Sequence, residues 1–67
     1  MTKEEYISEI SKYVEGSYTA LGFQKWWDRP RRISFNGKTP NELLNQEPFN
    51  EEDAKIVLDF ARRELGS

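Results

Sequence analysis

Gly37-Lys38-Thr39-Pro40-Asn41-Glu42-Leu43-Leu44 is the stretch whose reading decides the fold class. Thr39 has the chemistry of a helix N-cap. Pro40 falls at the first helical position, where its missing N–H does no harm, and Glu42 stands at N3, where its carboxylate reaches back to the cap's own N–H. The helix so opened is short, because Pro48 follows soon, and Leu43 and Leu44 are its apolar contribution.

The same helix-starting pattern recurs on both sides of it. Thr2-x-x-Glu5 reads as a capping box, and behind it Tyr6, Ile7, Ile10, Tyr13 and Val14 recur at helical spacing. Gly16 is the expected stop, since glycine takes a left-handed C′ conformation without steric cost. Ser17 is then expected to cap a second helix through about Asp28, with Tyr18, Leu21, Phe23, Trp26 and Trp27 as its bulky positions. Gly22 within it costs ~1 kcal/mol relative to alanine, which predicts close packing or a kink there. Pro30 ends the segment by pushing Arg29 away from helical geometry. Downstream, Asn50 caps the last helix, and Glu51-Glu52-Asp53 in its first turn complement the macrodipole. Phe49 and Ala54 occupy the positions of a hydrophobic staple. Ala54, Val57, Leu58, Ala61 and Leu65 form one face, flanked by Ile56 and Phe60; Arg62 and Arg63 fall in the last turn, and Gly66 ends it.

Between the second and third helices, Arg31-Arg32-Ile33-Ser34-Phe35 is too short and isolated to make a sheet, and Asn36-Gly37 signals a tight turn. No internal repeat or low-complexity segment is present. The expected fold is all-α: a small single-domain bundle of about four helices over residues 1–67, with an irregular loop between helices 2 and 3.

A chain of 67 residues buries only ~60% of the surface its unfolded form exposes, so its stability margin is thin. It contains no cysteine and no histidine, which excludes disulfides, thiolate and imidazole metal sites, and the commonest general base. Its aromatic residues, Tyr6, Tyr13, Tyr18, Phe23, Trp26, Trp27, Phe35, Phe49 and Phe60, are the material for a compact core. No apolar run approaches the ~20 residues of a membrane span, and the amino-terminal residues lack the basic start and apolar stretch of a signal peptide. A cytoplasmic protein with no membrane contact is the expectation.

The formal net charge of -2 conceals a strong segregation. Residues 1–16 carry Lys3 and Lys12 against Glu4, Glu5, Glu9 and Glu15. Residues 17–39 carry Lys25, Arg29, Arg31, Arg32 and Lys38 against Asp28 alone. Residues 40–67 carry Lys55, Arg62 and Arg63 against Glu42, Glu47, Glu51, Glu52, Asp53, Asp59 and Glu64. Segregation of this kind concerns partners and steering rather than fold.

Catalytic chemistry finds little to work with. The carboxylates of Glu51, Glu52 and Asp53 are explained by the helix start, and no D-x-D-x-D-G calcium loop is present. Ser8, Ser11, Ser17 and Ser34 have no imidazole to activate them. Gly37-Lys38-Thr39 has the last residues of a P-loop, but Arg32 stands where its first glycine belongs and Pro40 follows at once. Neither an enzyme nor a cofactor or metal site is expected.

Lys25, Trp27, Arg29, Arg31, Arg32, Phe35 and Lys38 are the candidate binding residues, basic side chains interleaved with aromatic ones. They fit an acidic protein surface, since Trp and Arg are favoured interface anchors, or nucleic acid, with phosphates held by the cations and bases stacked on the rings. The competing explanation is purely structural: rings in the core, with Arg and Lys stems lying over them and their heads in water. Trp26 is assigned to the core. Neighbouring helical residues point ~100° apart, so Trp27 is expected to be partly exposed or to lie under the Arg31–Phe35 link.

Trp26-Trp27-Asp28-Arg29-Pro30, followed by Gly37-Lys38-Thr39-Pro40-Asn41-Glu42-Leu43-Leu44, resembles the toxin-binding domain of ParS/MbcA/Xre-type antitoxins. That family carries a W-[apolar]-x-x-P element, a short loop, then G-[RK]-[ST]-P-x-[ED]-[LA]-[LF]. Ala20, Val57 and Leu58 suit the small residue ahead of the tryptophan and the final helix. The resemblance covers about residues 14–65. On it, Trp26, Pro30, Gly37, Thr39, Pro40, Glu42, Leu43 and Leu44 match the structural motif, with Trp26 and Pro30 packed against the Thr39-capped helix. The loop from Pro30 to Gly37 is one residue longer than the family pattern and carries Arg31-Arg32 where Asn and Pro are common. The resemblance implies a domain that binds and inhibits a RES-type, NAD-degrading toxin. With only residues 1–16 ahead of the domain, it also implies the partner-binding half without the usual DNA-binding repressor half.

The leading expectation is therefore a small non-catalytic protein-binding module, antitoxin-like, that occludes a protein partner. The alternative is a small nucleic-acid-binding or transcription-regulatory protein of phage or plasmid type, using the basic segment 25–38. A third reading is homo-oligomerisation through an exposed Trp27 or Phe35.

Overall fold

Four helices follow one another along the chain, α1 (Lys3–Ser17), α2 (Ala20–Trp27), α3 (Pro40–Leu44) and α4 (Glu51–Leu65), in a computed structural model that describes residues 1–66. Among the described residues the only bridge between extended segments is an isolated antiparallel pair, Arg31 and Lys38. The molecule is an all-α small bundle, and none of its described helices is long and apolar enough to cross a membrane.

Three of the four helix starts are the ones the sequence specifies. The Thr2 hydroxyl accepts from the Glu5 N–H at 3.2 Å while the Glu5 carboxylate accepts from the Thr2 N–H at 2.7 Å. Thr39 and Glu42 make the same reciprocal pair, both bonds at 3.1 Å. Asn50 Oδ1 accepts from the Asp53 N–H at 3.1 Å. Each bond satisfies a donor that the first helical turn leaves without a partner.

The junction between α1 and α2 departs from expectation. Gly16 does not stop α1, which runs on through Ser17 and closes at Tyr18, an extended residue (φ −134°) whose N–H donates to the Val14 carbonyl. Thr19, not Ser17, caps α2, its hydroxyl accepting from the Gly22 N–H at 3.2 Å. Both hydroxyl residues carry capping chemistry; the choice falls on Thr19 because Tyr18 and Thr19 are the extended pair that turns the chain between the helices. Gly22 consequently sits in the first turn of α2 and marks close packing rather than a kink. A Cβ added there would lie 3.1 Å from the Tyr18 Cβ.

Core formation starts from the two long helices. Tyr6, Ile10 and Val14, four residues apart along α1, form one buried stripe, and Ala54, Val57, Leu58 and Ala61 form the facing stripe on α4. Alanines at two of those α4 positions let the backbones approach closely. The small helices close the open side of this pair, α2 contributing Trp26 and Trp27, α3 contributing Leu43 and Leu44 behind a fully buried Pro40. Phe49 leans on α1, its ring 6.1 Å from that of Tyr6.

Candidate functional site

The irregular loop between α2 and α3 holds most of the candidate binding residues, and its shape is set by one of them. Arg31 folds back under the loop. One guanidinium nitrogen donates to the Trp26 carbonyl at 2.9 Å and to the Arg29 carbonyl at 2.7 Å. The guanidinium carbon lies 4.8, 5.2 and 5.8 Å from the ring centroids of Trp26, Phe60 and Phe35. Aromatic faces carry negative quadrupole density and the last carbonyls of a helix carry partial negative charge, so both surroundings favour a cation. Burial, then the nearby Arg29 charge, lowers its pKa from the ordinary arginine value. Arg31 is thus half-buried and committed internally.

The rest of the loop is pinned by backbone hydrogen bonds. The Arg31 carbonyl accepts from the N–H groups of Phe35 (3.2 Å) and Gly37 (2.8 Å), and the Arg31 N–H donates to the Lys38 carbonyl at 3.2 Å. The Phe35 carbonyl accepts from the Lys38 N–H at 3.0 Å. Asn36 and Gly37 between them both have positive φ, 56° and 86°. That is the conformation Asn-Gly pairs adopt most readily. At the loop's entrance, Asn41 of α3 donates to the Asp28 carboxylate at 2.7 Å, tying the end of α2 to the start of α3.

Against this geometry the candidate residues divide. Lys25, Arg29, Arg32 and Lys38 are exposed. The ion pairs among the described residues are Met1–Glu51, Lys12–Glu9 and Arg62–Asp59, and none uses these cations. Phe35 is only 4% exposed, with its ring 4.9 Å from that of Phe60, and is a core residue rather than a contact residue. Trp27 is 8% exposed and Trp26 4%, so the expected exposure of Trp27 is not found. Their side chains do diverge, but α2 is covered on two sides: Trp27 meets Phe23 at 6.3 Å and faces α1, while Trp26 meets Phe60 of α4 at 6.5 Å. The two indoles touch edge to face at 5.1 Å. Pro30 is exposed, so it acts as a helix terminator and does not pack against α3 as the motif implies. Gly37 takes a positive φ, Thr39 and Glu42 form the capping box of α3 with Pro40 in its first turn, and Leu43 and Leu44 are buried.

One residue without an assigned role stands out. Ile33, at the tip of the loop, is 98% exposed. It forms part of the wall of a shallow groove whose other lining residues include Phe35, Lys38, Leu43, Asp53 and Ile56, the last also substantially exposed. The available signal was an isoleucine with no helical phase, set between Arg32 and Ser34. An extended reading of the loop would have put Ile33 on the same side as Phe35, whereas the turns put one out and the other in.

No family model, curated protein or solved structure matches the chain. The site is therefore defined by its own geometry: a hydrogen-bonded loop displaying one apolar side chain among cations that form no ion pair among the described residues. The described residues offer no group of three or more acidic, histidine or cysteine side chains placed to hold a metal ion.

Proposed function

We propose that this chain is a small non-catalytic protein-binding module, antitoxin-like in action, which docks through the 29–38 loop and occludes a surface of its partner. The observation that carries this reading is the full exposure of Ile33 on a loop closed by four backbone hydrogen bonds. A pinned loop loses little conformational freedom on binding, so the apolar contact is not consumed by ordering costs. Arg29, Arg32 and Lys38 around it supply steering toward an acidic surface. The resemblance of residues 26–44 to antitoxin toxin-binding domains makes a RES-type toxin in the bacterial cytoplasm the first partner to try.

The nucleic-acid alternative retains Lys25, Arg29, Arg32 and Lys38 but loses its stacking rings, since Trp27 and Phe35 are buried. A tagged pull-down with and without nuclease separates the two readings. A stoichiometric protein that survives nuclease and is lost with Ile33→Asp or Arg32→Glu supports the docking role. Material that disappears with nuclease, and binding that falls steeply with salt, transfers the loop to nucleic acid.

A further inference from the structure

The side-chain amides of three asparagines are committed. Asn41 donates to the Asp28 carboxylate, Asn45 donates to the Asn41 carbonyl, and Asn50 accepts from the Asp53 N–H. The fourth, Asn36, is exposed, and its side chain makes no hydrogen bond among the described residues. It is also the one followed by glycine, the others preceding Glu42, Gln46 and Glu51. We propose that Asn36 is a site of spontaneous deamidation, with the Gly37 backbone nitrogen as nucleophile and that nitrogen's hydrogen bond to the Arg31 carbonyl as the gate. The reaction changes the covalent state of the loop and needs no partner, so it stands apart from the docking role.

The chemistry is intramolecular. The Gly37 amide nitrogen gives up its proton to hydroxide and bonds to the Asn36 side-chain carbonyl carbon, Cγ. The bond from Cγ to the amide nitrogen then breaks, ammonia leaves with a proton from water, and a five-membered succinimide remains. Water opens this ring at one of its two carbonyls, leaving aspartate or, when the original backbone bond is the one cut, isoaspartate. The net change is water in and ammonia out, so no oxidant or cofactor is required. Glycine favours the attack because it has no Cβ to crowd its nitrogen. The surroundings do not crowd it either, since a Cβ built on Gly37 would meet nothing within 4 Å. What restrains the nitrogen is its own bond: the Gly37 N–H donates to the Arg31 carbonyl at 2.8 Å, the shortest backbone hydrogen bond of the loop. While so engaged it is neither deprotonated nor free to turn toward Cγ. The reaction therefore proceeds from the fraction of molecules in which the loop has opened locally. Residues 29–38 carry Arg29, Arg31, Arg32 and Lys38 and no carboxylate. Conversion of Asn36 places the first negative charge among them, and the isoaspartyl form also adds a carbon to the main chain of the turn.

Peptide mapping by mass spectrometry tests this on chain aged at mildly alkaline pH, folded in buffer and unfolded in guanidinium chloride. The unfolded chain should convert Asn36 ahead of Asn41, Asn45 and Asn50; no preference for Asn36 would overturn the assignment. The folded chain should convert at the same residue at least ~10-fold more slowly, the factor that one closing hydrogen bond sets. Equal rates in the two states would remove the gate. Hydrogen exchange takes the same proton from the same nitrogen, so the protection of the Gly37 amide, read by NMR, should match this retardation to within ~10-fold. A larger mismatch in either direction rejects the Gly37–Arg31 bond as the gate. Asn36→Gly, which suits the φ of 56° at that position, should keep the folded spectrum and abolish the mass gain of the folded protein. A gain that persists in that variant places the reaction at another residue and rejects the proposal.

Discussion

The Arg31 guanidinium sits 4.8 Å from the centre of the Trp26 ring while donating a hydrogen bond to the carbonyl of that same residue. One side chain therefore both caps the end of α2 and lies against the principal aromatic cluster, with Phe35 and Phe60 completing the enclosure. The loop that follows is hung on this contact, because the backbone carbonyl of Arg31 accepts the two hydrogen bonds that close it.

Arg31 and Arg32 should consequently behave as opposites. Arg31→Ala removes two hydrogen bonds and the cation–aromatic contact and should destabilise the domain by about 2 kcal/mol. Arg31→Lys should recover only part of this, since an ammonium cannot lie flat on the ring and hold the same two carbonyls. Arg32→Glu, at an exposed position, should change stability by less than ~0.5 kcal/mol. Urea unfolding of the three variants makes the comparison. Equal losses for Arg31→Ala and Arg32→Glu would contradict the internal role of Arg31.

Trp26→Ala should cost ~3–5 kcal/mol, a large part of the margin of so small a domain, and leave it largely unfolded at room temperature. Trp27→Ala should be comparably severe, because its ring is also enclosed. Far-UV circular dichroism of the two variants is sufficient, and a native-like spectrum with a normal melting temperature for Trp27→Ala would show that its ring does not contribute as a core residue.

Thr39→Ala deletes the hydroxyl that accepts the Glu42 N–H and should cost about 1 kcal/mol. Gly37→Ala, which forces a Cβ onto a residue with φ of 86°, should cost a similar ~1 kcal/mol through backbone strain. Each should lower the melting temperature by roughly 4–8 °C, a shift easily read by calorimetry.

Stability should also depend on pH through the contact between α1 and α4. Tyr6 donates to the Glu51 carboxylate at 2.9 Å, and this bond, with the Met1 ammonium behind it, holds Glu51 below its ordinary 4.5. Glu5 is lowered too, chiefly by the Thr2 N–H. A depressed carboxyl contributes stability that is complete above its unfolded value and is lost as pH falls through its folded one. The domain should therefore weaken as the pH drops below 4.5. Tyr6 is raised above 10.0 by burial, then by its bond to Glu51 and that residue's charge. Its contribution is complete below the unfolded value and is lost as pH rises through the raised one. Tyr6→Phe removes the shared bond and should flatten both the acid and the alkaline limb of a melting-temperature profile. A Tyr6→Phe profile that parallels wild type would show that the bond has no part in the pH dependence.

Local rules made much of the fold legible in advance. Thr2 with Glu5, Thr39 with Glu42, and Asn50 each announce a helix within four residues, because a cap is a short-range bond between a side chain and its own backbone. The stripes of α1 and α4 are equally local, being one periodicity read along one element. What failed were most questions of which surface lies against which, the burial of Trp26 excepted. Ser17 and Thr19 offer the same capping oxygen, and only the placement of α2 against its neighbours selected one. Trp27 and Phe35 look like binding residues in a basic stretch, yet both are enclosed, because α2 is sandwiched and the loop folds over Phe60. Arg31 and Arg32 are adjacent and alike in the chain, but one enters an aromatic enclosure and the other stays in water. Ile33 is left outside for the same reason: the turn that carries Phe35 inward carries Ile33, two residues earlier, out. Sequence alone determined where three of the four helices start and which faces the two long ones present, since those depend on neighbours a few residues away. Tertiary structure alone decided which aromatic, which arginine and which isoleucine remain free for a partner, since burial is a property of elements distant in the chain that come to lie on one another.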